Sequence, residues 1–231
     1  MPKKQFENNN FVLYAPDSLN YITKDMEDIL NKSLKMYKNI FDIDKFRKVQ
    51  INYFDDIEEF RKFIYNSRGE TESLPNYAKG TFDNGMINAY IESDITDDNL
   101  YNKRKYNASH ELFHIMYQEL ILNKNNISRI IWFDEGMAQL FSFEYENELS
   151  NFNNFVKDII SETKVIPNLN ELSHGSNFIT EDYNGYKLSL IAVKYLYDKL
   201  GIDEFKKLLY NDNEIIKYGD KILYGIFDKY K

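Results

Sequence analysis

Cysteine is absent from the chain. That excludes disulfides, thiolate metal sites and cysteine nucleophiles together. Histidine is scarce, with three in 231 residues, so a transition metal would have to be held by those imidazoles and by carboxylates. No low-complexity stretch and no internal repeat is visible beyond a general richness in Asn, Lys and Tyr. No apolar run follows the polar start MPKKQFENNN, and none elsewhere is long enough for a signal peptide or a membrane span. The expectation is a chain without a membrane segment, either cytoplasmic or secreted with its leader removed. Basic residues are outnumbered 29 to 37, giving a net charge of -8 with no basic cluster to offset it. Such a surface repels a phosphate backbone, so no nucleic-acid partner is expected.

What is present is a core. Hydrophobic residues make up 43% and aromatics 16%, which excludes a disordered chain. The length falls between one and two typical domains, so one globular body with two lobes is expected. Residues 17 to 41 read as an amphipathic helix, with Asp17 or Ser18 as cap and Leu19, Ile22, Met26, Ile29, Leu30, Tyr37 and Ile40 at helical spacing. Val49 to Phe54 alternates as a strand, and Asp55 or Asp56 caps a short helix carrying Ile57, Phe60 and Ile64. Residues 66 to 76 read as a loop. Ala78 to Phe82 and Met86 to Ile91 flank Asp83-Asn84-Gly85, a hairpin signal because Asn-Gly tolerates positive φ. Helices are then predicted near 99–122, 133–147, 151–162, 184–200, 202–210 and 219–229, with a loop marked by Pro167 and Gly175. The class is α+β: a single domain over 1–231, with a mixed N-terminal lobe over about 1–122 and a helical C-terminal lobe over about 123–231.

The informative segment is Ser109-His110-Glu111-Leu112-Phe113-His114, a complete H-E-x-x-H inside a predicted helix. Residues i and i+4 lie one above the other on a helix face, so two imidazoles converge on one ion. Glu111 is rotated away from His110 and reaches a water at the metal without ligating the metal itself. A third ligand is required. Tyr117 and Leu120 stand where a metzincin places its glycine and third histidine, which excludes that class. His174 sits in a polar Ser-His-Gly-Ser loop and is expected at the surface. Glu135 is the better candidate. It lies in the apolar run Ile130 to Leu140, where a carboxylate is costly to bury unless a cation compensates it. Gly136 and Ala138 are small, which would let this helix approach the His-bearing helix closely.

H-E-x-x-H followed by Trp132-Phe133-Asp134-Glu135-Gly136-Met137-Ala138 resembles the gluzincin zinc peptidases, the peptidase MA-like group, whose second motif reads W-L-x-E-G-x-A. Tyr186 to Leu196 is similar to the helix that opens, in those enzymes, with a transition-state tyrosine and ends in Tyr-Leu. The resemblance covers roughly residues 78 to 210. It implies a zincin-like fold: a twisted sheet, an active-site helix beneath it and a helical lobe closing the cleft. There are departures. Twenty residues separate His114 from Glu135, slightly more than in the best-known branches. Gly85-Met86-Ile87-Asn88 lacks the acid of the aminopeptidase signature, which argues against that branch. Gln139 stands where a carboxylate often follows the third ligand by one turn.

The reading is a zinc-dependent peptidase, an endopeptidase. His110, His114 and Glu135 would hold one Zn²⁺, Glu111 would act as general base, and the resemblance makes Tyr186 the oxyanion donor, with Tyr183 as fallback. The strands around 78 to 91 would offer an edge to an extended peptide or protein substrate, at Lys79, Gly80 and Thr81. Two alternatives stay open. One is a non-catalytic, zinc-stabilised binding protein, against which the intact Glu111 argues. The other is a zinc hydrolase acting on a non-peptide amide or ester.

Overall fold

The computed structural model describes residues 2–68, 79–83, 85–93, 95, 98–173 and 177–231. Most of the predicted loop over 66–76 lies outside them, as do Ala78, Asn84, His174 and Gly175. The chain divides into two compact units, Met1–Ile115 and Met116–Lys231. The class is α+β, with one five-stranded sheet and a majority of helix.

The first unit holds the sheet. Its strands are β1 (Lys3–Glu7), β2 (Phe11–Ala15), β3 (Val49–Phe54), β4 (Gly80–Asp83) and β5 (Met86–Tyr90), in the order β1-β2-β3-β5-β4. The inner three run parallel, and β1 and β4 pair antiparallel at the two edges. Register gives each face its own composition. Phe11, Leu13, Val49, Ile51, Tyr53, Ile87 and Ala89 share one face and are buried. On the other face Asn52 Nδ2 donates to Asn88 Oδ1 at 2.8 Å, beside an apolar cluster of Phe54 and Tyr90 with Phe60 and Ile64.

Helix α1 (Thr23–Ile40) buries Met26, Leu30, Tyr37 and Ile40 of the predicted stripe and Leu34 besides, while Ile29 is only half-buried. The predicted start at 17 is a 3-10 turn, Asp17–Ile22, ahead of the α-helix. Helix α2 (Ile57–Arg68) is capped by Asp56, whose Oδ1 accepts from the Glu58 and Glu59 amides at 2.8 Å each. It supplies Phe60 and Ile64 to the second face of the sheet. The stretch expected as one helix over 99–122 is broken. It comprises α3 (Asp98–Arg104), α4 (Asn107–Tyr117), a π-helical turn over Gln118–Leu122 and α5 (Asn123–Asn125). Asn126 ends it in the left-handed region at φ 52°.

The second unit is helical: α6 (Ile131–Phe141), α7 (Glu146–Leu149), α8 (Phe152–Glu162), α9 (Gly185–Leu200), α10 (Ile202–Leu208), α11 (Asp212–Gly219) and α12 (Ile222–Tyr230). Its centre is the α6–α9 pair. Nine of the eleven residues of α6 are buried, Asp134 and Glu135 among them. The pair crosses closely at Gly136, where a Cβ would stand 2.4 Å from the Ser189 carbonyl oxygen and 2.6 Å from Val193. Small size at Gly136 therefore serves contact with α9. Phe133, Phe141, Tyr197 and Phe205 stack around this crossing with centroids 5.4 to 5.9 Å apart. Asn184 caps α9 by accepting from the Lys187 amide at 3.2 Å. Among the described residues no helix is long and apolar enough to cross a membrane.

Candidate metal centre

Helix α4 has two faces. Ala108, Ser109, Leu112, Phe113, Ile115 and Met116 are fully buried. Phe113 packs edge-on against Tyr37 at 5.3 Å, and the Tyr37 hydroxyl donates to the Ser109 carbonyl at 2.7 Å. These contacts fix the rotation of α4 against α1. They leave His110, Glu111 and His114 half-buried on the other face. The two imidazole rings stand 4.8 Å apart at 73°.

Glu135 completes the group. One ligand atom each of His110, His114 and Glu135 lies within 4.8 Å of the others, a set that could hold a metal ion. Ligand atoms around a tetrahedral ion at about 2.0–2.1 Å stand roughly 3.3 Å apart. Two imidazoles and a carboxylate suit zinc among several divalent ions. Burial sharpens the fit, because Glu135 is only 4% exposed and a buried carboxylate requires a cation.

One such cation is already there. Arg129 Nη2 reaches Glu135 Oε1 at 3.3 Å, and its Nε donates to Asp134 Oδ2. Asp134 is 2% exposed. The guanidinium thus spans both carboxylates and holds the Asp134-Glu135 pair at the first turns of α6. Sequence reasoning did not single out Arg129. The signal was available: it is the only basic residue between Lys124 and Lys157, five residues before two acids in an apolar run.

Gln139 lies one helical turn after Glu135. It is buried, and its Nε2 donates to the carbonyls of Glu135 (3.1 Å) and Tyr186 (3.0 Å). It therefore ties the ligand-bearing turn of α6 to the head of α9. Tyr186 itself is half-buried, with its ring edge-on to Phe178 at 4.5 Å. The Tyr183 hydroxyl donates to the Asn177 carbonyl at 2.9 Å, a structural bond that stabilises the turn before α9.

The three edge residues part company. Lys79 accepts from the Tyr90 amide through its carbonyl at 2.8 Å, so antiparallel alternation turns the Gly80 N–H and C=O to the open side of β4. Gly80 touches Glu111: a Cβ there would stand 2.9 Å from Oε1 and 3.2 Å from Cγ. Thr81 is buried, and its hydroxyl accepts from Arg68 and donates to Asp83 at 3.1 Å. Its side chain braces the strand against α2 and faces no open edge. The Lys79 side chain lies on the α2 face, over the Tyr90 ring at 5.1 Å.

The chain matches no family model and no curated protein. The centre is therefore defined by its own residues: a convergent His, His and Glu group, a further glutamate on the helix of the two histidines, and beside that glutamate a strand at the edge of the sheet among the described residues.

Proposed function

We propose that the chain is a zinc-dependent peptidase of the gluzincin type, cleaving within extended peptides. The observation that carries this reading is the convergence of His110, His114 and Glu135 beside a helix-borne Glu111 that touches the open strand at Gly80. Those three side chains would hold the ion, which when bound polarises a carbonyl and lowers the pKa of water towards about 7.

The rest falls to the chain. The outward backbone groups of Gly80 and, two residues on, Phe82 pair with a substrate main chain and lay it along β4. Gly80 lacks a side chain, so the paired peptide is brought close to Glu111. Glu111 takes a proton from the attacking water at a carboxylate oxygen and returns it to the leaving amine. Tyr186 donates its hydroxyl to the oxygen that becomes negative only in the transition state, a role assigned on the resemblance of the helix it opens. Gln139 fixes the backbone at the base of both Glu135 and Tyr186.

Zinc analysis paired with digestion of a random peptide library tests the reading. About one zinc per chain and internal cleavage that Glu111→Gln abolishes are expected. A chain that binds no zinc removes it. Tight zinc with no hydrolysis favours a binding protein, and hydrolysis of esters alone redirects the substrate class.

A further inference from the structure

We propose that Lys79 makes the open edge of the sheet selective for peptides with an acidic side chain next to the residue paired with Gly80. This rests on the strand pairing proposed above and names the substrate class.

Lys79 shares its face of the sheet with Tyr90, and the ring of Tyr90 holds its ammonium at 5.1 Å. Among the described residues, the charged groups that act on it are Arg104, Arg61 and Glu92. Glu92 is already engaged by Arg104 through two N–H groups at 3.1 and 3.3 Å, and Arg61 is paired with Glu58 at 3.4 Å. Among the described residues no carboxylate stands within ion-pair distance of Lys79. Partial burial, and then the charge of Arg104, lower its pKa. In a chain of net charge -8, this is, among the described residues, a local excess of positive charge beside the edge strand β4. A part-buried cation without a counter-ion is unfavourable, and a carboxylate brought by a ligand relieves it.

Strand geometry fixes which ligand residue that is. A peptide residue paired with Gly80 turns its side chain to the Glu111 face, because cross-strand partners share a face. The residues on either side of it turn theirs to the α2 face, where Lys79 lies. Tyr90 forms an apolar wall there, which suits the methylenes of Glu or Asp.

The test uses the full-length, zinc-loaded Glu111→Gln variant, immobilised and exposed to a random decapeptide library. Retained peptides are sequenced by mass spectrometry for this variant alone and combined with Lys79→Arg, Lys79→Met or Lys79→Glu. Enrichment of Asp and Glu at one position by about tenfold is expected with Lys79, largely kept by Arg, lost with Met and turned to Lys and Arg with Glu. No peptide retention, retention without acid enrichment, or the same enrichment in Lys79→Glu each overturns the inference. Hydrolysis by the wild type is scored in parallel. Acid-selective retention without hydrolysis would remove the peptidase reading and leave this one, whereas hydrolysis without acid preference would do the reverse.

Discussion

Gly80 and Glu111 are in contact in such a way that one methyl group on the glycine would stand 2.9 Å from the carboxylate oxygen. The strand edge and the proposed base are thereby set against each other without an intervening side chain. Gly80→Ala should push Glu111 aside by a few tenths of an ångström or more. Misplacement of a reacting group on that scale costs up to about 100-fold in turnover. Zinc content should stay at the wild-type value, because neither residue is a ligand. Steady-state kinetics on a cleavable peptide, with metal analysis alongside, checks both halves.

Glu111→Gln keeps shape and removes proton acceptance. Turnover should fall by roughly 100-fold or more, the scale of general-base catalysis, while zinc and melting temperature hold. Equal activity in this variant would mean that another group is the base.

The Asp134-Glu135 pair separates ligation from support. Glu135→Ala should weaken zinc binding by about 10-fold or more. Asp134→Ala should act mainly on stability. It removes the buried partner of Arg129 and costs about 1–3 kcal/mol, discounted because the guanidinium is partly exposed. Competitive zinc titration and urea unfolding on the two variants distinguish them. A larger zinc effect at Asp134 would place the ligand one residue earlier.

At the α6–α9 crossing, Gly136→Ala forces a methyl group to 2.4 Å from the Ser189 carbonyl. Both neighbours are helix backbone or buried side chain, so the helices must separate. A loss of about 1–3 kcal/mol is expected in thermal or urea unfolding. An unchanged midpoint would show that the pair is more loosely packed than described.

Tyr186→Phe should lower turnover by about 100- to 1000-fold with KM nearly kept, the cost of losing one oxyanion donor. Tyr183→Phe breaks the bond to the Asn177 carbonyl, so about 1 kcal/mol of stability should go and little activity. If Tyr183→Phe carries the kinetic loss, the two tyrosines have exchanged roles.

Much of this was legible because local pattern and tertiary demand agreed. Val49 to Phe54 is the strand that its alternation predicts, and α9 begins within one residue of the Asn184-Gly185 signal. The convergence of His110 and His114 follows from helical spacing alone. Where the two diverged, the reading failed. Strand β1 is a polar edge strand with three exposed residues in five, so no alternation betrays it. Helix α11 buries only Ile215 and Gly219 of its eight residues, too few for a period to show. The breaks inside 99–122 leave the apolar spacing nearly intact and come without proline or glycine. Nor could sequence place Gly80 on Glu111, because that contact joins a strand to a helix residue 31 positions on.

Arg129 has a consequence for the order of assembly. In small zinc-organised modules the ion is the fold's counter-charge, and the empty chain is unfolded. Here a resident guanidinium already offsets one of the two carboxylate charges that α6 takes out of water. Folding of the helical unit should thus depend less on metal supply than in such modules. On the proposed reading the chain would take its shape first and an ion afterwards, so a chelator should yield a folded, reloadable protein in place of a denatured one.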